Sequence, residues 1–276
     1  MKVFNFKREL LEYLRQFRQN KTIGFVPTMG ALHSGHLKLI KAAKKECSIT
    51  ICSIFVNPTQ FNNPNDFSNY PKTLNTDLEK LEKLNCDIVY TPNVNDLYKK
   101  GEKVKEFNFG AMTSVMEGKF RIGHFNGMAT VVEKFFKIIK PTKAFFGQKD
   151  LQQLQIVKTL VKQMNVAIEI ISIPTAREKN GLAKSSRNKL LSDYEKNKSS
   201  LIYKCLKYCA HNKEKEIAEL KIFIKTQFKK ETDITLEYVE FVNLNTMLPI
   251  KKWEKENAIC IAAYLNSVRL IDNIIL

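Results

Sequence analysis

The sequence predicts an α/β fold: a parallel sheet with crossover helices, followed by a smaller C-terminal α+β domain. Three observations carry that prediction. Short apolar runs alternate with segments of helical spacing over the first two thirds of the chain. Those runs are continuously apolar, as strands covered on both faces require. Near Ser185 the alternation gives way to two successive helical segments and then to strands. The expected division is therefore a Rossmann-like domain over 1–184 and a smaller domain over 185–276.

Each element has its own justification. Thr22–Pro27 is a short apolar run closed by proline; after Thr28–His36 a helical pattern continues to Lys45, giving strand, loop and helix. Ser48–Val56 reads as a buried strand ended by Asn57-Pro58. Leu74, Leu78, Leu81 and Leu84 recur at helical spacing within 72–85, and Asp87–Tyr90 follows as a strand. From His124 a buried helix runs to Pro141. Lys143–Gly147, Asp150–Asn165 and Ala167–Ile173 then read as strand, helix and strand. Ser192 and Glu195 have capping-box spacing before a helix to His211, and Lys213–Lys230 gives another. Asp233–Asn243 and Asn257–Leu276 each read as one strand.

Composition limits the function classes. At 276 residues with 44% hydrophobic content, the chain can bury a substantial core without disulfides or metals. Charged residues are mixed into Met1–Asn20, and no apolar run nears the roughly 20 residues of a membrane span, so a cytoplasmic protein with no membrane partner is expected. Cys47, Cys52, Cys86, Cys205, Cys209 and Cys260 form no C-x-x-C pair and read as reduced structural thiols. The net charge of +17 invites a nucleic-acid reading, but the lysines are interleaved with acids, as in Lys80–Lys83 and Lys213–Glu216. Solvated faces are expected instead, with no nucleic-acid partner.

One constellation stands out. Met29-Gly30-Ala31-Leu32-His33-Ser34-Gly35-His36 places an H-x-G-H directly after a strand, where it opens a helix. The spacing sets both imidazoles on one face of the first turn, Gly35 allows close approach, and free N–H groups with the helix dipole face any anion there. Such donors can stabilise phosphate oxygens as pyrophosphate departs. His124 falls in another motif, whereas His211 ends a lysine-rich helix and reads as a solvated bystander.

Seven blocks in order, Pro27–His36, Ser53–Phe61, Asp66–Pro71, His124–Val132, Phe146–Gln153, Ser185–Asn188 and Arg269–Asn273, are distributed along nearly the whole chain. Together they resemble the pantothenate synthetase family of the H-x-G-H nucleotidyltransferase superfamily. The resemblance implies ATP-dependent joining of pantoate to β-alanine through an acyl adenylate, with His36, His33 and Lys149 catalytic. It implies ATP contacts from Met29, Gly30, Ala31, Leu32, His33, Ser34, Gly35, His36, Gly147, Gln148, Lys149, Asp150, Ala176, Lys184, Ser185, Ser186 and Arg187. Gln60 and Gln153 match the pantoate-binding pair, with Gln60 also at β-alanine. Mg²⁺ is expected with the ATP phosphates, and Asp77 or Asp150 is its candidate protein contact, a helix-stabilising role being equally open for either. A homodimer is expected too. Gln148, Lys184 and Ala176 depart from the usual Glu, apolar residue and Val. A rival acceptor bearing phosphate would call for cations where Gln60 and Gln153 stand.

Overall fold

The computed structural model describes residues 1–17 and 21–276. The end of the N-terminal stretch, 18–20, lies outside the described residues. Two compact units divide the chain. One comprises Met1–Phe109, Arg121–Gly147 and Ile156–Ile173; the other comprises Gly110–Phe120, Gln148–Gln155 and Pro174–Leu276.

The first unit is built on six parallel strands: β1 (Lys2–Phe4), β2 (Ile23–Thr28), β3 (Ile49–Ile54), β4 (Ile88–Tyr90), β5 (Lys143–Gly147) and β6 (Glu169–Ile173), in the order β1-β4-β3-β2-β5-β6. From β2 the sheet grows one way through β3 and β4 and the other way through β5 and β6. The order thus reverses at the β2–β5 pair, the place where open α/β sheets receive ligands beyond their carboxyl ends. Its helices are α1 (Lys7–Leu14), α2 (Ser34–Glu46), α3 (Pro64–Ser68), α4 (Leu74–Lys83) and α5 (Val94–Leu97). Phe25, Val26, Ile51 and Phe145 on the strands are fully buried, as the continuous apolar runs require.

The short helix α6 (Met116–Phe120) belongs to the second unit, and α7 (His124–Ile139) to the first. Helix α8 (Leu151–Met164) is continuous through both. The second unit adds α9 (Asp193–His211), α10 (Ile217–Lys229) and an antiparallel sheet of β7 (Ile234–Asn243), β8 (Asn257–Leu265) and β9 (Val268–Ile275). Its core joins Ile202, Leu206, Leu220 and Ile224 of the helices to Phe241, Ile259 and Ile261 of the sheet. Ser192 and Glu195 make the expected reciprocal cap on α9.

One expectation needs correction. Asn257–Leu276 is a hairpin of two strands, not one strand, because Asn266 takes φ +50° and turns the chain between β8 and β9. Among the described residues, no helix is long and apolar enough to cross a membrane. All six cysteines are free thiols, and five are buried.

Candidate active site

In the first unit the site begins where β2 ends. Thr28 donates to the Ser53 carbonyl on β3 (2.7 Å) and accepts the Gly30 N–H (3.2 Å), which starts the loop from a fixed point. Gly30 and Ala31 then take φ +80° and +49°. Any other residue would be strained at the first. Besides the backbone penalty, a Cβ there would meet Ile54 at 3.1 Å and Asp77 at 3.3 Å.

His33 is the N-cap of α2 and His36 its third residue, and they form a reciprocal capping box. His33 Nδ1 accepts the Gly35 N–H (3.1 Å), and His36 Nδ1 accepts the His33 N–H (3.3 Å). Two N–H groups expected to face a ligand are therefore satisfied by imidazoles. The consequence is chemical: with both Nδ1 atoms accepting, each neutral ring carries its proton on Nε2. The rings lie 4.0 Å apart, centre to centre, and present two Nε2 donors from one turn.

His124 has the opposite tautomer. Its Nδ1 lies 2.8 Å from the Gln60 carbonyl oxygen, to which it must donate, and its Nε2 accepts from Arg121 (3.2 Å). This histidine anchors the backbone of Gln60. Asn57, 1% exposed, fixes the side chain: it donates to Gln60 Oε1 (3.2 Å) and to the Gly127 carbonyl (3.1 Å). It also accepts from Tyr98 (2.9 Å) and Thr59 (3.0 Å), and burial pushes the Tyr98 hydroxyl above its ordinary pKa. With Oε1 occupied, Gln60 is left to present its amide N–H, which lies 2.8 Å from the Met29 sulfur. Gly127 permits this packing, since a Cβ would sit 1.9 Å from the Thr59 carbonyl. Sequence reasoning did not single out Asn57 or Tyr98. Asn57 lay inside a quoted block, but its four partners are visible only in three dimensions.

Asp77 is wholly buried on α4. Its carboxylate accepts the Ala31 and Leu32 N–H groups, each at 2.8 Å, and the Thr73 hydroxyl at 3.1 Å.

The second unit carries the remaining predicted residues. Gln148–Asp150 is a single 3-10 turn leading into α8. The Asn273 amide on β9 grips it by donating to the carbonyls of Gln148 (2.9 Å) and Lys149 (2.8 Å). The Lys149 ammonium lies 3.6 Å from the half-exposed Asp150 carboxylate. Asp272, beside Asn273, receives a two-pronged contact from Arg177 (2.5 and 3.0 Å). Burial raises the Asp272 pKa, and Arg177 opposes that shift. Arg177 itself stacks on Tyr203 at 3.8 Å.

Ala176 is buried, and its carbonyl accepts the Lys184 N–H (2.8 Å) in a hairpin bridged between Arg177 and Ala183. The unusual Lys184 is neutralised locally by Glu178 at 3.0 Å. Ser185 caps the 3-10 turn Ser186–Leu190 by accepting the Arg187 N–H, and Ser186 is buried. Gln153 is half-buried, with no hydrogen-bond partner for its amide among the described residues. Its neighbour Gln152, not predicted, is the anchoring amide. It donates to the carbonyls of Met112 (2.6 Å) and Val115 (3.0 Å) and accepts the Glu117 N–H (2.9 Å).

A family model described as pantoate-beta-alanine ligase matches residues 2–275. The pantothenate synthetase of Christiangramia forsetii is 45% identical over 283 residues, covering 100% of this chain and 99% of that protein. The crystal structure of pantothenate synthetase from Thermus thermophilus superposes with a TM-score of 0.93 at 34% identity, covering 99% of each chain. A pantoate-beta-alanine ligase from Francisella tularensis, solved with beta-gamma ATP and beta-alanine, gives 0.83 at 36% identity, covering 99% of this chain and 97% of that one. With the sequence match and the fold in agreement along its length, the chain belongs to the pantoate-β-alanine ligase family.

Proposed function

We propose that the chain condenses pantoate with β-alanine in two steps driven by ATP. A pantoate carboxylate oxygen attacks the α-phosphorus, the bond to the bridging oxygen breaks, and pyrophosphate leaves with the electron pair. The β-alanine amine then attacks the acyl carbon of the pantoyl adenylate, loses a proton, and expels AMP to give pantothenate. The observation that best supports this reading is the reciprocal His33–His36 cap, which sets two neutral Nε2–H donors at one helix start. Neutral donors suit charge that grows only as the P–O bond breaks, and one such contact is worth roughly 3 kcal/mol.

Within this reading ATP is bound by Met29–His36, Gly147–Asp150, Ala176 and Lys184–Arg187, with Lys149 the cation that meets its phosphates. Gln60 and Gln153 hold pantoate, and Gln60 also contacts β-alanine. Amides suit a carboxylate that must stay nucleophilic, where an arginine clamp would over-stabilise the ground state. Mg²⁺ enters with the triphosphate as part of the substrate. The half-exposed Asp150 carboxylate fits a contact to such a hydrated ion. Asp77 does not fit, because backbone donors already occupy both of its oxygens. A cytoplasmic homodimer completes the reading. The test is a product assay for AMP and pantothenate with ATP, pantoate and β-alanine, repeated with each left out. Formation of ADP, or of product without pantoate, would contradict it.

A further inference from the structure

We infer that Asp77 is a positioning residue for the first chemical step, shaping the 29–36 loop from behind. This rests on the adenylation reading above. The loop leaves β2 through two residues with positive φ, Gly30 and Ala31, and the Ala31 and Leu32 N–H groups lie buried, away from solvent. Buried N–H groups need acceptors. Asp77 supplies them, one oxygen to Ala31 and the other to Leu32, both at 2.8 Å from a side chain with no exposed surface.

The N-cap residue of α4 and its Lys80 complete the grip. The Thr73 hydroxyl donates to the same carboxylate at 3.1 Å, and Lys80 donates to the Leu32 carbonyl at 2.7 Å while its ammonium stands 4.0 Å from Asp77. Leu32 is thus held through both its N–H and its C=O, directly before the His33 cap. The loop can turn only one way between β2 and α2, and the direction of that turn aims both imidazoles. A carboxylate so enclosed is unsuited to a metal ion, which would have to displace two backbone donors.

Asp77→Asn is the discriminating variant. Its amide keeps the shape but offers one acceptor where two are needed, setting an NH₂ against an N–H. Hydrogen exchange in the peptide covering 29–36 should quicken, and pantoate-dependent exchange of labelled pyrophosphate into ATP should fall about a hundred-fold, the scale of an ångström-sized misplacement. The Mg²⁺ concentration for half-maximal rate should not move, and preformed pantoyl adenylate should still yield pantothenate at close to the parental rate. A many-fold higher Mg²⁺ requirement, with the rate restored at high Mg²⁺, would make Asp77 a metal contact and overturn the inference. So would a parental exchange rate. If Asp77→Asn does not fold, Lys80→Met decides: a several-fold loss of exchange is expected, and an unchanged rate contradicts the role. Absence of pyrophosphate exchange in the parent would sink the adenylation reading instead, while the protection of the Ala31 and Leu32 amides would still test the grip.

Discussion

The loop after β2 and the turn after β5 are held by opposite chemistry. At 31–32 the groups needing partners are N–H donors, and an enclosed carboxylate accepts them. At 148–149 they are carbonyls, and the Asn273 amide donates to both. The difference lies in which backbone group the distant side chain meets, N–H donors in the loop after β2 and carbonyls in the 3-10 turn that leads into α8. In each case a side chain far away in sequence fixes main chain beside the residues proposed for the chemistry, His33 and His36 at the first and Lys149 at the second. The charged grip is the less forgiving, because asparagine cannot imitate two acceptors, while a neutral donor has substitutes in water.

The largest effect should come from the residue that both caps and donates. His36→Ala removes a transition-state donor and should slow adenylation by two to three orders of magnitude, or about 3 kcal/mol. It also uncaps the His33 N–H, so a stability loss of about 1 kcal/mol should accompany it. His36→Gln separates the two roles, since glutamine at that position can close the same box. Its unfolding midpoint should return toward the parent's while its pyrophosphate exchange stays low. If exchange returns as well, the histidine acts only through the helix.

Asn273→Ala comes next. It removes the protein donor to two part-buried carbonyls, for a loss of about 1 kcal/mol in urea unfolding. The rate should drop less than for Asp77→Asn, because water can donate where the amide did. A larger rate loss for Asn273→Ala than for Asp77→Asn would reverse the ranking of the two grips.

Gln153→Ala should be the mildest for the fold, within about 0.5 kcal/mol of the parent, as its amide makes no hydrogen bond among the described residues. Its effect should be a higher pantoate requirement with ATP binding little changed in calorimetry. Equal weakening of both ligands would remove it from the pantoate site.

Most of this fold was legible in the sequence because the strands of a covered parallel sheet are continuously apolar. Ile23–Thr28, Ile49–Ile54 and Lys143–Gly147 needed nothing more. β1 was not legible: Lys2–Phe4 is too short to show a period and is a strand only through its pairing with Ile88–Tyr90. The β8–β9 hairpin was read through because Asn266-Ser267 lacks the glycine that usually marks such a turn. At the site, the H-x-G-H and Lys149 candidates rest on local order, each beside the end of a strand. Asp77 was read only as a metal candidate or a helix-stabilising residue, and its hold on Ala31 and Leu32 was not legible, since those partners lie 46 and 45 residues away. Gln152 and Gln153 show the same limit: they are adjacent identical residues on α8, yet it is Gln152 that anchors Met112–Glu117.

A separable adenylation step underlies all of these expectations, and pyrophosphate exchange measures it most directly. Labelled pyrophosphate should enter ATP when pantoate is present and β-alanine is absent, at a rate that His36→Ala lowers at least about a hundred-fold. Exchange that appears only on adding β-alanine would mean that no free-standing acyl adenylate forms, and would contradict the two-step chemistry.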